Sequence, residues 1–142
     1  MLYEEFDEYI FGFATEDYDI DYWYDEGTDI AQNMLIGFDD NDWKMLLKSI
    51  PERTVNWKKR IAYCMHDGNN LNQLMVLLRL VDTDDDELFE ISVDSLRGFT
   101  SKECLKLIQN DTEIIFKIKE LYPNVGEPAK RVFEEFLKKL RE

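Results

Sequence analysis

Basic residues are missing from the first 43 positions of this 142-residue chain, and Lys44 is the first cation. Histidine is almost missing too: His66 stands alone, in a "YCMHDG" segment read as a helix C-terminus, where a partly charged imidazole suits the dipole. Cys64 precedes it by two residues, a spacing that turns the two side chains to different helix faces and argues against a Cys/His dyad. The other cysteine, Cys104, is far away and no CxxC occurs, which fits free thiols in a reduced interior rather than a disulfide framework. No GxGxxG, GxxxxGK[ST], HExxH or GxSxG is present. Calcium loops beginning at Asp17 or Asp82 fail, because their sixth and twelfth positions hold Tyr22 and Thr28, or Glu87 and Val93, instead of glycine and glutamate. No apolar run approaches the roughly 20 residues of a membrane span, and the start "MLYEEFDEYIFGF" is acidic where a secretory signal is basic. These absences lead to the expectation of a cytoplasmic, non-enzymatic protein with no metal, no cofactor, no small-molecule substrate and no membrane partner.

The acids present are unevenly placed. Fourteen of the 31 fall in residues 1–43, leaving 17 against the 17 lysines and arginines that follow, so the whole net charge of −14 belongs to the first third. That third also carries 11 of the 19 aromatic residues. Such asymmetry points to a charged partner. The partner is not nucleic acid: phosphate contacts need clustered cations, and the only tight cluster, Lys58, Lys59 and Arg60, reads as a solvated helix face.

Periodicity is helical almost throughout. Leu2, Phe6, Tyr9, Ile10 and Phe13 recur at three- and four-residue spacing, and Thr15 is placed to cap the next helix. Ile20, Trp23, Gly27, Ile30, Ala31, Met34, Leu35 and Phe38 form a second stripe, predicting a helix over 16–36 weakened at Gly27. Asp39 or Asp40, Asn70, Asp84, Thr100 with Glu103, and Asp111 or Thr112 supply further starts; Pro51, a C′ Gly68, Gly98 and Pro123 supply stops. "LNQLMVLLRLV" is apolar on most sides and reads as a central helix. The expected fold is all-α and a single domain over 1–142, with acidic, aromatic helices in 1–38 and helical hairpins in 39–66, 70–97 and 100–122. It would be either a HEAT-like α-solenoid or a closed bundle.

The stretch "DYDIDYWYDEGTD", 17–29, packs six acids and four rings into thirteen residues. Concentrated like charge weakens a free protein, and a merely solubilising face has no need of exposed rings. The interleaving therefore marks a protein-docking surface, in which carboxylates steer a basic partner and desolvated tyrosines hold it. The candidate contacts are Asp17, Tyr18, Asp21, Tyr22, Tyr24, Asp25, Glu26 and Asp29.

The runs "WKMLLKSIPERTVNWKKRIAYCM" and "LMVLLRLVDTDDDELFEISVDSLRGF", with Trp43, Leu46, Leu47, Pro51, Trp57, Arg60, Ile61 and Ala62, resemble the helical immunity proteins of bacterial polymorphic-toxin systems, including contact-dependent growth inhibition. The resemblance covers about 60 residues. It implies a cytosolic antitoxin that binds a cognate toxin domain, often a basic nuclease, but it carries over no contact residues. Two other classes compete. One is a helical adaptor that binds a peptide, its acidic start serving solubility; the other is an acidic-site hydrolase, which would show metal-dependent turnover.

Overall fold

The computed structural model describes residues 1–14 and 20–141. The positions Thr15, Glu16, Asp17 and Tyr18 invoked above lie outside the described residues. Among those described the chain is all-α, without strands. Helix α1 (Leu2–Phe11) is followed by α2 (Ile20–Tyr22), a π-helical turn (Trp23–Gly27) and α3 (Thr28–Ile36), which run on without a break. Then come α4 (Asp40–Ser49), α5 (Val55–Cys64), α6 (Leu71–Leu80), α7 (Asp86–Leu96), α8 (Lys102–Gln109), α9 (Thr112–Leu121) and α10 (Glu127–Arg141). Short 3-10 turns at Ile50–Glu52 and Tyr122–Asn124 contain the prolines that close α4 and α9.

Side-chain caps fix most of the starts. Asp39 and Asp42 form a reciprocal box: the Asp42 N–H donates to Asp39 Oδ1 at 2.9 Å, and the Asp39 N–H donates to Asp42 Oδ2 at 3.0 Å. The buried Asp42 also accepts the Tyr3 N–H of α1 at 2.9 Å, so one carboxylate serves two helix starts. Thr54 and Asn70 cap α5 and α6. Two starts lie one residue beyond those expected. Asp85, not Asp84, caps α7 through the Leu88 N–H, and Ser101, not Thr100, caps α8 through the Cys104 N–H. In both cases the cap must sit three residues before the N–H it accepts. Helix α5 stops at Cys64 because Met65, fully buried, leaves the helical region at φ −85°, ψ 79°. Gly68 therefore is no left-handed stop. Its role is close approach, since a Cβ there would meet the Gly98 carbonyl oxygen at 2.2 Å.

Packing runs to the next helix but one: α3 on α5 and α5 on α7 in one row, α4 on α6 and α6 on α8 in another. Helix α6 is central, as its apolar surface suggests, touching α4, α5, α7 and α8, although Leu71 and Met75 on its outer edge are exposed. Helix α1 lies across α3, α4 and α5, and α10 lies on α7 and α8. One continuous set of buried side chains runs from Tyr3 to Leu140. The junction of α1 and α5 is polar and closed. Arg53 grips Asp7 with Nη2 at 2.8 Å and Nε at 3.3 Å, the Trp57 indole N–H donates to the same carboxylate at 2.9 Å, and the guanidinium lies over the Phe11 and Trp57 rings.

Asp42→Ala should lower the unfolding free energy by about 2 kcal/mol, roughly one per helix start lost, read from urea midpoints. The Asp39 N–H, and then that of Tyr3, outweigh burial and hold the Asp42 carboxyl below the usual carboxylate range. A depressed acid stabilises the fold above its unfolded value, so the difference between wild type and variant should shrink as pH falls below about 4.

Candidate functional site

The acidic segment stands on an irregular base. In an α-helix a four-residue step drifts by about 40°, so Trp23, Gly27, Ala31 and Leu35 would wander off one face. The π turn absorbs that drift. The Thr28 N–H reaches back to the Trp23 carbonyl, the Thr28 hydroxyl donates to the same oxygen at 2.9 Å, and all four side-chain positions stay inside. Ile30, expected in the stripe, is turned outward at 41% exposure. Gly27 is required by contact rather than by backbone angle: a Cβ would lie 2.8 Å from the Trp23 ring and 3.1 Å from that of Phe13. Trp23 is fully buried with its ring centroid 4.8 Å from that of Phe13. Among the described residues its indole N–H and the Tyr9 hydroxyl are buried without a hydrogen-bond partner, and burial is the main reason the Tyr9 phenol is pushed up, with Tyr22, Cys64 and Glu26 adding to it. Each such group costs about 1–3 kcal/mol. A π turn of this kind is a feature that recurs at working sites.

On that base, the outer face displays Asp21, Asp25 and Asp29 at four-residue steps, with Tyr22 and Glu26 on the adjacent line, all exposed. Tyr22, 42% exposed, lies flat on Phe13 with centroids 6.0 Å apart and planes 8° apart. The structure thus brings five of the eight candidate residues onto one strip. Tyr24 belongs elsewhere: it turns toward α5 and meets Tyr63 at 5.0 Å. Asp17 and Tyr18 remain outside the described residues. Tyr3, by contrast, is core at 4% exposure.

Tyr24 opens a cleft of about 330 Å³ between the π turn, α5 and α7, walled by Tyr63, Lys59, Glu87, Glu90 and Asp94. These α7 acids recur at three- and four-residue spacing, a stripe visible in the sequence but hidden there by the number of acids around it. Lys59 donates to Glu87 at 2.9 Å, and Arg97 pairs with Asp94 and with Glu135. Arg60 is no solvated cation. It is buried, gives its Nε–H to the Phe13 carbonyl at 3.1 Å, and is pulled below its ordinary range by desolvation. Burial, then the Asp94 and Glu87 charges, push the half-buried Glu90 carboxyl up.

Cys64 and Cys104 are buried free thiols, and burial drives the Cys64 thiol far above its ordinary range. His66 is exposed two residues past the end of α5, its ring edge-on to Tyr63 at 5.7 Å. Among the described residues no group of three or more His, Cys, Asp and Glu side chains is placed to hold a metal, and no helix is long and apolar enough to cross a membrane. No protein-family model, curated protein or solved structure matches the chain.

A carboxyl raised by folding disfavours the fold once ionised, so Glu90 weakens the protein increasingly as pH rises through its folded value. Glu90→Gln should raise the melting temperature at pH 7 by about 1–2 °C, kept small by solvent screening, and the gain should disappear below about pH 4.

Proposed function

We propose that this protein is an immunity-type inhibitor that binds and neutralises a cognate basic toxin domain through the acidic strip. The observation that carries the reading is the exposure of Asp21, Asp25, Glu26 and Asp29 beside the Tyr22 ring on a single helix. Carboxylates at this spacing present a field that draws a cationic protein in, and in contact they occupy the place of substrate phosphates in a nuclease cleft. Tyr22 supplies area that is desolvated once the complex has formed. The resemblance of the α4–α7 region to helical immunity proteins agrees with this role, and cytoplasmic residence follows from it. Inhibition is then a matter of steric and electrostatic occupation, with no turnover.

A second reading, an adaptor that binds a peptide, rests on a groove of about 520 Å³ between α3, α4 and α6, where Ile36 is 82% exposed beside the Gln32, Asn70 and Asn72 amides. The two readings separate on charge. A peptide in that groove is indifferent to the strip, whereas a toxin docked on the strip is not.

The test begins with the neighbouring reading frame. The proposal expects a large secreted protein whose C-terminal domain is basic, is lethal when expressed alone, and is tolerated when this chain is co-expressed. Neutralising the strip by Asp25→Asn, Glu26→Gln and Asp29→Asn together should slow association with that domain about tenfold at low salt and flatten its ionic-strength dependence. An unchanged rate at low salt, with circular dichroism showing an intact fold, rejects the strip as the docking surface.

A further inference from the structure

The cleft beside the strip contains one carboxylate without a counterion. Of its three acids, Glu87 is taken by Lys59 and Asp94 by Arg97. Among the described residues no cation and no hydrogen-bond donor is placed on Glu90. The basic side chains of the wall are placed elsewhere: Lys59 lies between Glu87 and Asp85, Arg60 gives its Nε–H to the Phe13 carbonyl, and His66 stands edge-on to the Tyr63 ring. A half-buried carboxylate in this state is a net cost to the free protein, and that cost is relieved when a cation arrives. The rest of the wall includes two tyrosine rings beside Ile91 and Ser95. Tyr24 and Tyr63 meet with centroids 5.0 Å apart and planes at 60°, forming a corner, and Tyr24 keeps 45% of its surface exposed. The volume of about 330 Å³ equals the share of roughly ten water molecules, ample for one long side chain.

We propose that this cleft receives an arginine side chain of the partner protein, its guanidinium set against the Glu90 carboxylate and the Tyr24 and Tyr63 rings. Arginine fits better than lysine because its planar, weakly hydrated head stacks on a ring while donating to a carboxylate, whereas an ammonium gives up more hydration on leaving water. The upward push on the Glu90 carboxyl by burial agrees with a site that is desolvated before it is filled. Tyr24 adjoins Asp25 in the chain, so an arginine entering here comes from a protein already lying on the strip. The inference rests on the docking proposal for its source of arginine and gives that partner a specific anchor.

The site can be tested without the partner. N-acetyl-arginine amide is titrated into the full chain while the tyrosine ring and glutamate side-chain resonances are followed by NMR, beside N-acetyl-citrulline amide, which has the same shape and no charge. The expected result is a saturable shift of the Tyr24, Tyr63 and Glu90 signals with the arginine probe only. It should weaken at least tenfold in Glu90→Gln and severalfold in Tyr24→Ala, both of which should melt as cooperatively as the wild type. Equal binding to Glu90→Gln, equal binding of citrulline amide, or arginine shifts confined to Asp25–Asp29 would overturn the assignment. If the probe binds as expected while the neighbouring domain proves harmless, the cleft stands and the neutralisation reading falls.

Discussion

Trp23 is the wedge on which the acidic surface is mounted. Its ring is fully buried against Phe13 and the bare face of Gly27. Without a side chain at Gly27 the Trp23 and Phe13 rings lie against the helix, and the π turn keeps Trp23 and Leu35 on the same inner face. The outer face is thereby fixed as well. Asp21, Asp25 and Asp29 are aligned because the buried positions between them are pinned. The same anchoring leaves Tyr24 on the flank, where it becomes a wall of the α5–α7 cleft instead of a member of the strip.

The helical architecture was legible because three-to-four-residue periodicity and capping chemistry act locally. Asp39, Asn70, Pro51 and Pro123 mark boundaries that hold in the fold. Caps at Asp85 and Ser101 differ from expectation by one residue, since runs such as "DTDDDE" and "FTSKE" offer several oxygens at nearly the same position, and only the packing of Leu88 and Cys104 selects among them. The π turn was foreseeable only as a weak point at Gly27. Its effect on Ile30 required knowing that Trp23 and Ala31 must share a face.

The candidate site was legible in part, for a comparable reason. Exposure of the acids in 21–29 follows from the stripe they avoid. The employment of others does not: Asp7 is locked by Arg53 and Trp57, and Asp42 serves two helix starts, so part of the acidic excess of the first third is structural. Glu90 was hidden among 31 acids and is distinguished only by its neighbours' ion pairs, which depend on Lys59 and Arg97 arriving from outside its helix turn or at its end. Long-range pairing of this kind leaves no local trace in a sequence.

If the strip exists for docking, the carboxylates of Asp25, Glu26 and Asp29 add little to the free fold and chiefly repel one another. The melting temperature measured across ionic strength, for the wild type and for the variant with Asp25, Glu26 and Asp29 made neutral, tests this with the chain alone. The account predicts that the neutral variant melts higher at low salt and that the two curves converge as salt is added. A variant that melts lower than the wild type at every salt concentration would show that these carboxylates support the fold, and would contradict it.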